Sequence, residues 1–383
     1  MKVYLYILTA ICLLSSCEKT ITEFQAQNFI KFFGSGIESK GNNVIVADPA
    51  ENSYLFVGYD NVQGNNNILA VKTDKFGNTV WENIYQDSAQ EESAGTIIKK
   101  AGDDFIIIGT IQVATQANPS ASMNPKLMKI NSNGDIVWKS ILTHGYKLII
   151  NDFIIVDTLI IVAGESYKSS PTVPQCFYAC FNTAGVFKWE YPFPGAETFK
   201  KIFLNNNGKL ILVGNSSISS TKMIKIVEAN VNGGTPVTIL FEDYPGNTQI
   251  VRDAIYKKED GILYLLTYDQ TANRSKVNKF AANYTVEWTA ESPLNFSGES
   301  LTLKDDGTFF ILCENNDKMT LVKVDSNGDL YSGDAEFKNL ASDAGAIIST
   351  PDNGLIIVGS TTSAFGTMVQ LIKTDKDLYL LKP

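Results

Sequence analysis

Apolar residues recur along this chain in short runs broken by Gly, Asn and Asp, and the runs are rich in Ile, Val and Phe. The clearest unit spans Leu69 to Trp81. An apolar run ends in Lys72 and Asp74, the chain turns at Gly77, and a second run carries Trp81. The unit returns from Leu127 to Trp138 with Lys129, Asn131 and Gly134, and more loosely from Ala179 to Trp189, Lys279 to Trp288 and Leu321 to Tyr331. A second pair of runs follows each unit. In the best copy, Ser93 to Ile98 leads to a turn at Gly102 and Asp103, then to Phe105 through Gly109. Short β-branched and aromatic runs bounded by turn residues predict strands and hairpins. Beyond the N-terminal signal, no stretch of twelve residues has a helical period.

The end of the second strand of each copy sets a ruler. It falls at Gly58, Gly109, Gly164, Gly214, Thr267, Cys313 and Gly359, with gaps of 51, 55, 50, 53, 46 and 46 residues. Seven marks about 50 residues apart, four strands to each, predict an all-β fold, a seven-bladed β-propeller of four-stranded blades. Each unit alone leaves a face uncovered, and closing the ring covers it. The seventh copy runs from Ala346 to Asp375 and lacks a convincing outer strand. Phe29 to Phe33 is a spare strand with no unit of its own. It is expected to close the ring as the outermost strand of the last blade. The innermost strands open on small residues (Ala94, Gly95, Ala254, Ser300, Ala344 and Gly345), as convergence on an axis requires. Trp81, Trp138, Trp189 and Trp288 occupy equivalent places, so packing between blades is expected of all four.

The N-terminus has a different pattern. Lys2 precedes an apolar stretch from Val3 to Leu14 that is too short to span a bilayer. It ends in Leu14, Ser15, Ser16 and Cys17, which resembles the lipobox of bacterial lipoproteins. That resemblance implies cleavage before Cys17 and lipidation of its thiol. The chain then divides into a signal peptide at 1–16, a lipidated cysteine and tether at 17–27, and the propeller at 28–383. Multiple acyl chains would hold the mature protein to a membrane. Under the enterobacterial sorting pattern, Glu18 implies the outer membrane.

Composition narrows the function classes. The net charge of −9 speaks against nucleic acid, whose binding needs a basic surface. Of five cysteines, Cys12 and Cys17 lie in the signal region. Cys176 and Cys180, four apart in a strand, would sit ~13 Å apart, beyond the roughly 4.4–6.8 Å of a disulfide. With Cys313 they read as small buried apolar residues. No cysteine spacing suggests a metal. The turns Asn131–Asp135 and Asp325–Asp329 look like fragments of calcium loops, but lack the length and the distal carboxylate of an EF-hand. No cofactor or metal is expected.

A strand, an Asp or Asn, a glycine turn and a Trp on the next strand together resemble the blade motif of quinoprotein-type propellers. They are also similar to tandem propeller repeats in secreted and lipid-anchored proteins of Bacteroidota. The resemblance spans roughly residues 28–381. The quinoprotein dehydrogenases have eight blades, a calcium-bound quinone and often a vicinal disulfide, and this chain has seven marks and no adjacent cysteines, so their redox chemistry is not implied. The lipoprotein propeller of the outer-membrane barrel assembly machinery, a scaffold, is another relative of that fold.

Candidate chemistry gathers in two places. Glu92, Asp152, Glu197, Asp253, Glu299 and Asp343 precede or open six inner strands, and Asn43 does so in the first blade, so a ring of acids is expected at the channel mouth. Such a ring would suit a cation or a basic or polyhydroxylated ligand, with Arg252 neutralising part of it. The other place is the loops. Thr110–Pro125 and Glu165–Gln175 are the longest, polar and adjacent, and are expected to be irregular recognition loops on one face. The only histidine, His144, has no triad partner nearby. The expected function is a binding or scaffolding propeller of the cell envelope for a protein or glycan partner, monomeric outside a complex. The alternative is a glycan- or peptide-active enzyme using a pair of channel-mouth carboxylates, drawn from Glu92, Glu197 and Glu299.

Overall fold

The computed structural model describes residues 28–86, 91–115, 118–143, 146–168, 173–193, 198–218, 221–242, 248–292, 297–314, 318–331, 336–364 and 366–377. The signal region, the tether, Cys17, His144 and Glu197 lie outside them. Among the described residues all regular structure is β, and the strands are numbered β1 to β28 in chain order. β2–β5 (Ser39–Tyr85), β6–β9 (Glu91–Ile141), β10–β13 (Leu148–Phe193), β14–β17 (Thr198–Glu242) and β18–β21 (Gln249–Glu291) are five four-stranded antiparallel meanders. β22–β25 (Ser297–Tyr331) form the sixth blade, and β26–β28 (Glu336–Lys373) form three strands of the seventh. The fourth strand is β1 (Phe29–Phe33), paired with β28 (Gly366–Lys373) from Phe29 opposite Lys373 to Phe33 opposite Val369. The N-terminal strand therefore closes the seven-bladed ring, as the spare strand required.

Blade six is the irregular one. β25 (Leu330–Tyr331) is two residues long, and the start of β26 (Glu336–Ser349) completes the outer edge by pairing Glu336 with Thr320. The same strand then pairs with β27 (Leu355–Ser363) as the inner strand of blade seven.

Burial follows the seams between blades. Leu55, Val57, Ile68 and Ala70 of blade one pack with Ile98, Ile107 and Met128 of blade two. Phe153, Phe177 and Phe181 of blade three pack with Ile106, Ile108 and Leu127 of blade two. Strands buried on both faces read as continuous apolar runs, because each blade is a middle layer.

The outer seams explain the repeat motif. In four units the Asp or Asn caps its own hairpin, as Asp74 Oδ1 accepts the N–H groups of Phe76 and Asn78. Asn131, Asn182 and Asp325 do the same. This is how the two calcium-like turns spend their first side chain. The glycine that follows takes positive φ and lies under an aromatic ring of the preceding blade. Gly134 lies under Trp81, Gly185 under Trp138, Gly233 under Trp189 and Tyr191, and Gly328 under Trp288. Trp81 and Trp138 also donate Nε1–H to the carbonyls of Ser132 and Thr183 in the next blade. At the closing seam Phe29 covers Gly77, so the N-terminal strand brings its own substitute for the tryptophan.

Candidate functional site

The ruler residues mark the place where the axial chemistry is built. In all seven blades the mark pairs with the residue just before a β-bulge in the inner strand. The bulged residues are Asn42, Thr96, Asn151, Lys200, Arg252, Glu299 and Gly345. The bulge drives the inner backbone onto the second strand. A Cβ at Gly58, Gly164 or Gly214 would fall 1.7–1.9 Å from a carbonyl oxygen of its neighbour. Of the small residues expected in the inner strands, Gly95 and Ala344 lie just before the bulge, Gly345 is the bulged residue, Ser300 follows it, and Ala94 and Ala254 lie two residues to either side of it. The position before the bulge faces the packed seam, and it holds glycine at Gly41, Gly95 and Gly298 but the buried Ile150, Phe199 and Val251 in blades three to five.

Bulging leaves two residues of each inner strand free to reach the next blade. An inner strand is an edge strand, so its axis-facing N–H and C=O groups need partners. In four seams the residue after the bulge accepts the N–H two residues past the next blade's bulged residue. Asn43 takes Ile98, Asp152 takes Ile202, Asp253 takes Leu301 and Ser300 takes Ile347. The bulged Asn42 and Asn151 donate Nδ2–H to the carbonyls of Gly95 and Phe199. The other three seams are tied by ion pairs: Lys99 to Asp152 at 2.7 Å, Lys201 to Asp253 at 2.7 Å and Lys40 to Asp343 at 3.0 Å. Burial pulls the Lys201 ammonium down, and Asp253 with Asp152 more than reverses this, holding it above the usual lysine range. The result is an alternating belt, Lys99, Asp152, Lys201, Asp253, running through blades two to five.

The five predicted acids that lie among the described residues therefore occupy different levels. Asp152 and Asp253 follow the bulge and are buried; Glu299 is the bulged residue itself; Asp343 lies two before it and Glu92 four before it. Asp253 Oδ2 takes the Leu301 N–H at 2.8 Å and the Ser300 hydroxyl at 3.0 Å, and Oδ1 takes the Ala254 N–H at 2.8 Å. Glu299 faces Arg252 at 3.6 Å and accepts from Ser297. Nearby, burial and then Asp343 raise the Glu314 carboxyl above its usual range. Sequence reasoning missed Asn42, Asn151, Lys99 and Lys201. For all but Lys99 the signal was a polar pair ahead of five of the seven marks, Asn42-Asn43, Asn151-Asp152, Lys200-Lys201, Arg252-Asp253 and Glu299-Ser300, blurred because the intervening turns differ in length.

The loop face departs from the expectation of irregular loops. Thr110–Pro125 is a paired hairpin, with Thr110 opposite Pro125, Ile111 opposite Asn124, Gln112 opposite Met123, Val113 opposite Ser122 and Thr115 opposite Asn118. β6 (Glu91–Ala101) begins early enough to add Glu91 opposite Val113, making a three-stranded flap. Residues 110–115 continue the apolar and β-branched run past Gly109, and adjacent strands capture their backbone groups. In blade three, Glu165 and Ser166 pair with Cys176 and Gln175 and so extend the ladder past the mark. Blade six stops one residue past its mark, at Glu314.

No protein-family model and no curated protein sequence matches the chain. Solved structures do. The β-propeller domain of Cps50 (Swd1) from Myceliophteria thermophila is similar with a TM-score of 0.54 at 11% identity, over 90% of this chain and 99% of that one. Sqt1 of Chaetomium thermophilum, bound to the N-terminus of the ribosomal protein L10, gives 0.51 at 9% identity, over 90% and 98%. An oligogalacturonate lyase in complex with manganese gives 0.54 at 8%, over 92% and 97%. At such identities the likeness is one of fold. The set includes both a peptide-bound propeller and a lyase, so function has to be argued from the site.

Proposed function

We propose that this chain is a binding propeller of the bacterial cell envelope, held by lipid at Cys17, whose protein or glycan partner docks on the face bearing the blade-two flap. The flap is the observation that carries the reading. A three-stranded projection raised on a rigid ring offers a preformed surface with little ordering cost. The axial acids support a structural role over acid–base chemistry, because Asp152 and Asp253 are each engaged by a lysine and a backbone N–H. Of the three carboxylates suited to the enzyme alternative, only the Glu299 side chain lies among those described, and it faces Arg252. A propeller of the same fold is known with a peptide bound, which lends the binding reading a precedent. The lipid anchor rests on the residues up to Cys17, and the outer-membrane address on Glu18.

The test is co-purification from native membranes. The tagged protein is compared with a variant in which Val113–Ser122 is replaced by a two-residue turn, leaving the Thr110–Pro125 pairing intact. A partner recovered with the first and lost with the second supports the reading. Equal recovery by both moves the docking surface elsewhere, and recovery by neither refutes a stable protein partner and directs the search to glycans. Labelling with a radioactive fatty acid, abolished by Cys17→Ser, tests the anchor.

A further inference from the structure

The outer seam between blades six and seven lacks the ring-on-glycine packing. The turn of blade seven that meets blade six, Thr374–Asp377, contains no glycine, and Tyr331 stands in the sequence where other blades carry tryptophan. A cavity of about 510 Å³ opens there instead, lined by Lys304, Lys323, Lys376, Asp306, Asp377, Thr308 and Phe310. Its volume is in the range of small-molecule sites.

Lys304 is the informative residue. It starts the inner hairpin turn of blade six, the position held by Asn205 in blade four and Thr350 in blade seven. Asn205 uses its side chain to accept the N–H groups of its own turn, and a lysine has no acceptor to offer. In blade six Asp306 takes over the cap, accepting the Thr308 N–H at 2.9 Å, and the Lys304 side chain turns into the seam. There it is only 9% exposed. Its ammonium lies 5.7 Å from the centre of the Phe310 ring and donates to the Lys376 carbonyl at 3.3 Å. Among the described residues no carboxylate lies within ion-pair distance of it. A buried ammonium with one long hydrogen bond retains donors for an acceptor in the cavity. The Thr308 N–H, together with the nearby Lys304 and Lys323, holds the Asp306 carboxyl below its usual range against partial burial, so that acid remains an anion and an acceptor. Three lysines against two aspartates leave the lining net positive.

We propose that this cleft binds a small organic anion, with its carboxylate or phosphate group received by Lys304 and flanked by Lys323 and Lys376, and its hydroxyls within reach of Thr308 and Asp306. The site lies at the hairpin turns that join first to second and third to fourth strands, the face opposite the blade-two flap, so it is independent of the docking surface.

The test is calorimetric titration of the full chain in detergent with glucuronate, glucose 6-phosphate and glucose, which share a ring and differ in head group. One-to-one saturable binding of glucuronate or glucose 6-phosphate, with none by glucose, is expected, and the tighter of the two identifies the head group. Lys304→Met keeps the length and removes the charge. It should weaken that binding by about tenfold or more, the loss of one charge-assisted hydrogen bond, while the melting temperature stays near that of the wild type. Lys376→Gln, at an exposed rim position, should weaken it by about two- to threefold and serves if Lys304→Met does not fold. Absence of binding by both anions at about ten millimolar, where a built site should already be filling, overturns the proposal. Equal binding by glucose, or unchanged binding in Lys304→Met, does so as well.

Discussion

Substituting Asp253 tests the reading of the axial acids as ring ties. Asp253→Ala removes the acceptor for Leu301 N–H, Ala254 N–H, the Ser300 hydroxyl and the Lys201 ammonium together. Each buried donor left unmatched costs about 1–3 kcal/mol, although Ser300 can rotate to another acceptor. Breaking a buried ion pair from one side costs about 3–5 kcal/mol. The Lys201 side chain is 29% exposed, so water recovers part of that loss. A total of about 3–5 kcal/mol is expected. Asp253→Asn keeps an oxygen for Leu301 and loses the charge, for about 1–2 kcal/mol. The assay is urea unfolding followed by tryptophan fluorescence, which reports the outer seams. Combining Asp253→Ala with Lys201→Met should cost less than the sum of the singles, with a coupling of about 1–2 kcal/mol. The sign with pH follows from the raised Lys201 value. The stabilisation by Lys201 is complete below the unfolded lysine value of about 10.4 and fades only as pH rises through the higher folded value. The difference between wild type and Lys201→Met should stay level up to about pH 10. If Asp253→Ala unfolds within about 1 kcal/mol of wild type, or the two substitutions simply add, the ties contribute nothing and the acids are free for another purpose.

Phe29→Ala should destabilise the protein by about 3–5 kcal/mol and make residues 28–33 the first site of limited proteolysis, because Phe29 both covers Gly77 and meets Tyr54 at 6.3 Å; an unchanged melting curve would contradict ring closure by this strand. Gly134→Ala and Gly102→Ala share a positive φ of +85° and +68°, but the added Cβ at Gly134 falls 2.3 Å from Asn83 Nδ2 and 3.1 Å from the Trp81 ring, while that at Gly102 meets open space. Thermal unfolding should place Gly134→Ala about 1–2 kcal/mol below Gly102→Ala. Burial lowers the Lys225 ammonium, which lies 4.0 Å from the centre of the Phe193 ring. A folded value below the unfolded one means that protonated Lys225 weakens the fold at neutral pH and that this penalty fades as pH rises towards the unfolded value. Lys225→Met should therefore equal or exceed the wild type in urea midpoint at pH 7 and lose that advantage near pH 10, and a less stable variant at pH 7 would refute the argument.

The sequence alone determined the architecture. Strand spacing, seven marks, and the Asp–Gly–Trp hairpin are local patterns, and local sterics dictate them: a glycine is needed where φ is positive, an Asp or Asn where a tight turn needs an acceptor. Ring closure by Phe29–Phe33 was legible too, because a repeat with one strand missing and one to spare has one economical solution. The site was less legible. Asp152 and Asp253 looked like members of an open ring of acids, and it took the seam geometry to show that each reaches a lysine and a backbone N–H in other blades. Those partners lie about 50 residues away in sequence, and nothing local encodes the pairing. The blade-two flap was misread for a related reason. Thr110–Pro125 is polar and carries prolines, as a loop would, and its backbone groups find partners only when its two arms pair with each other and with a neighbouring strand that starts at Glu91. The Lys304 cleft had only an indirect signature, a turn without glycine at Thr374–Asp377 and Tyr331 in the place of tryptophan. It is lined by residues of two blades, Lys304 and Phe310 of one and Lys376 and Asp377 of the other, and such a gap is a property of the contact, decided only when the ring closes.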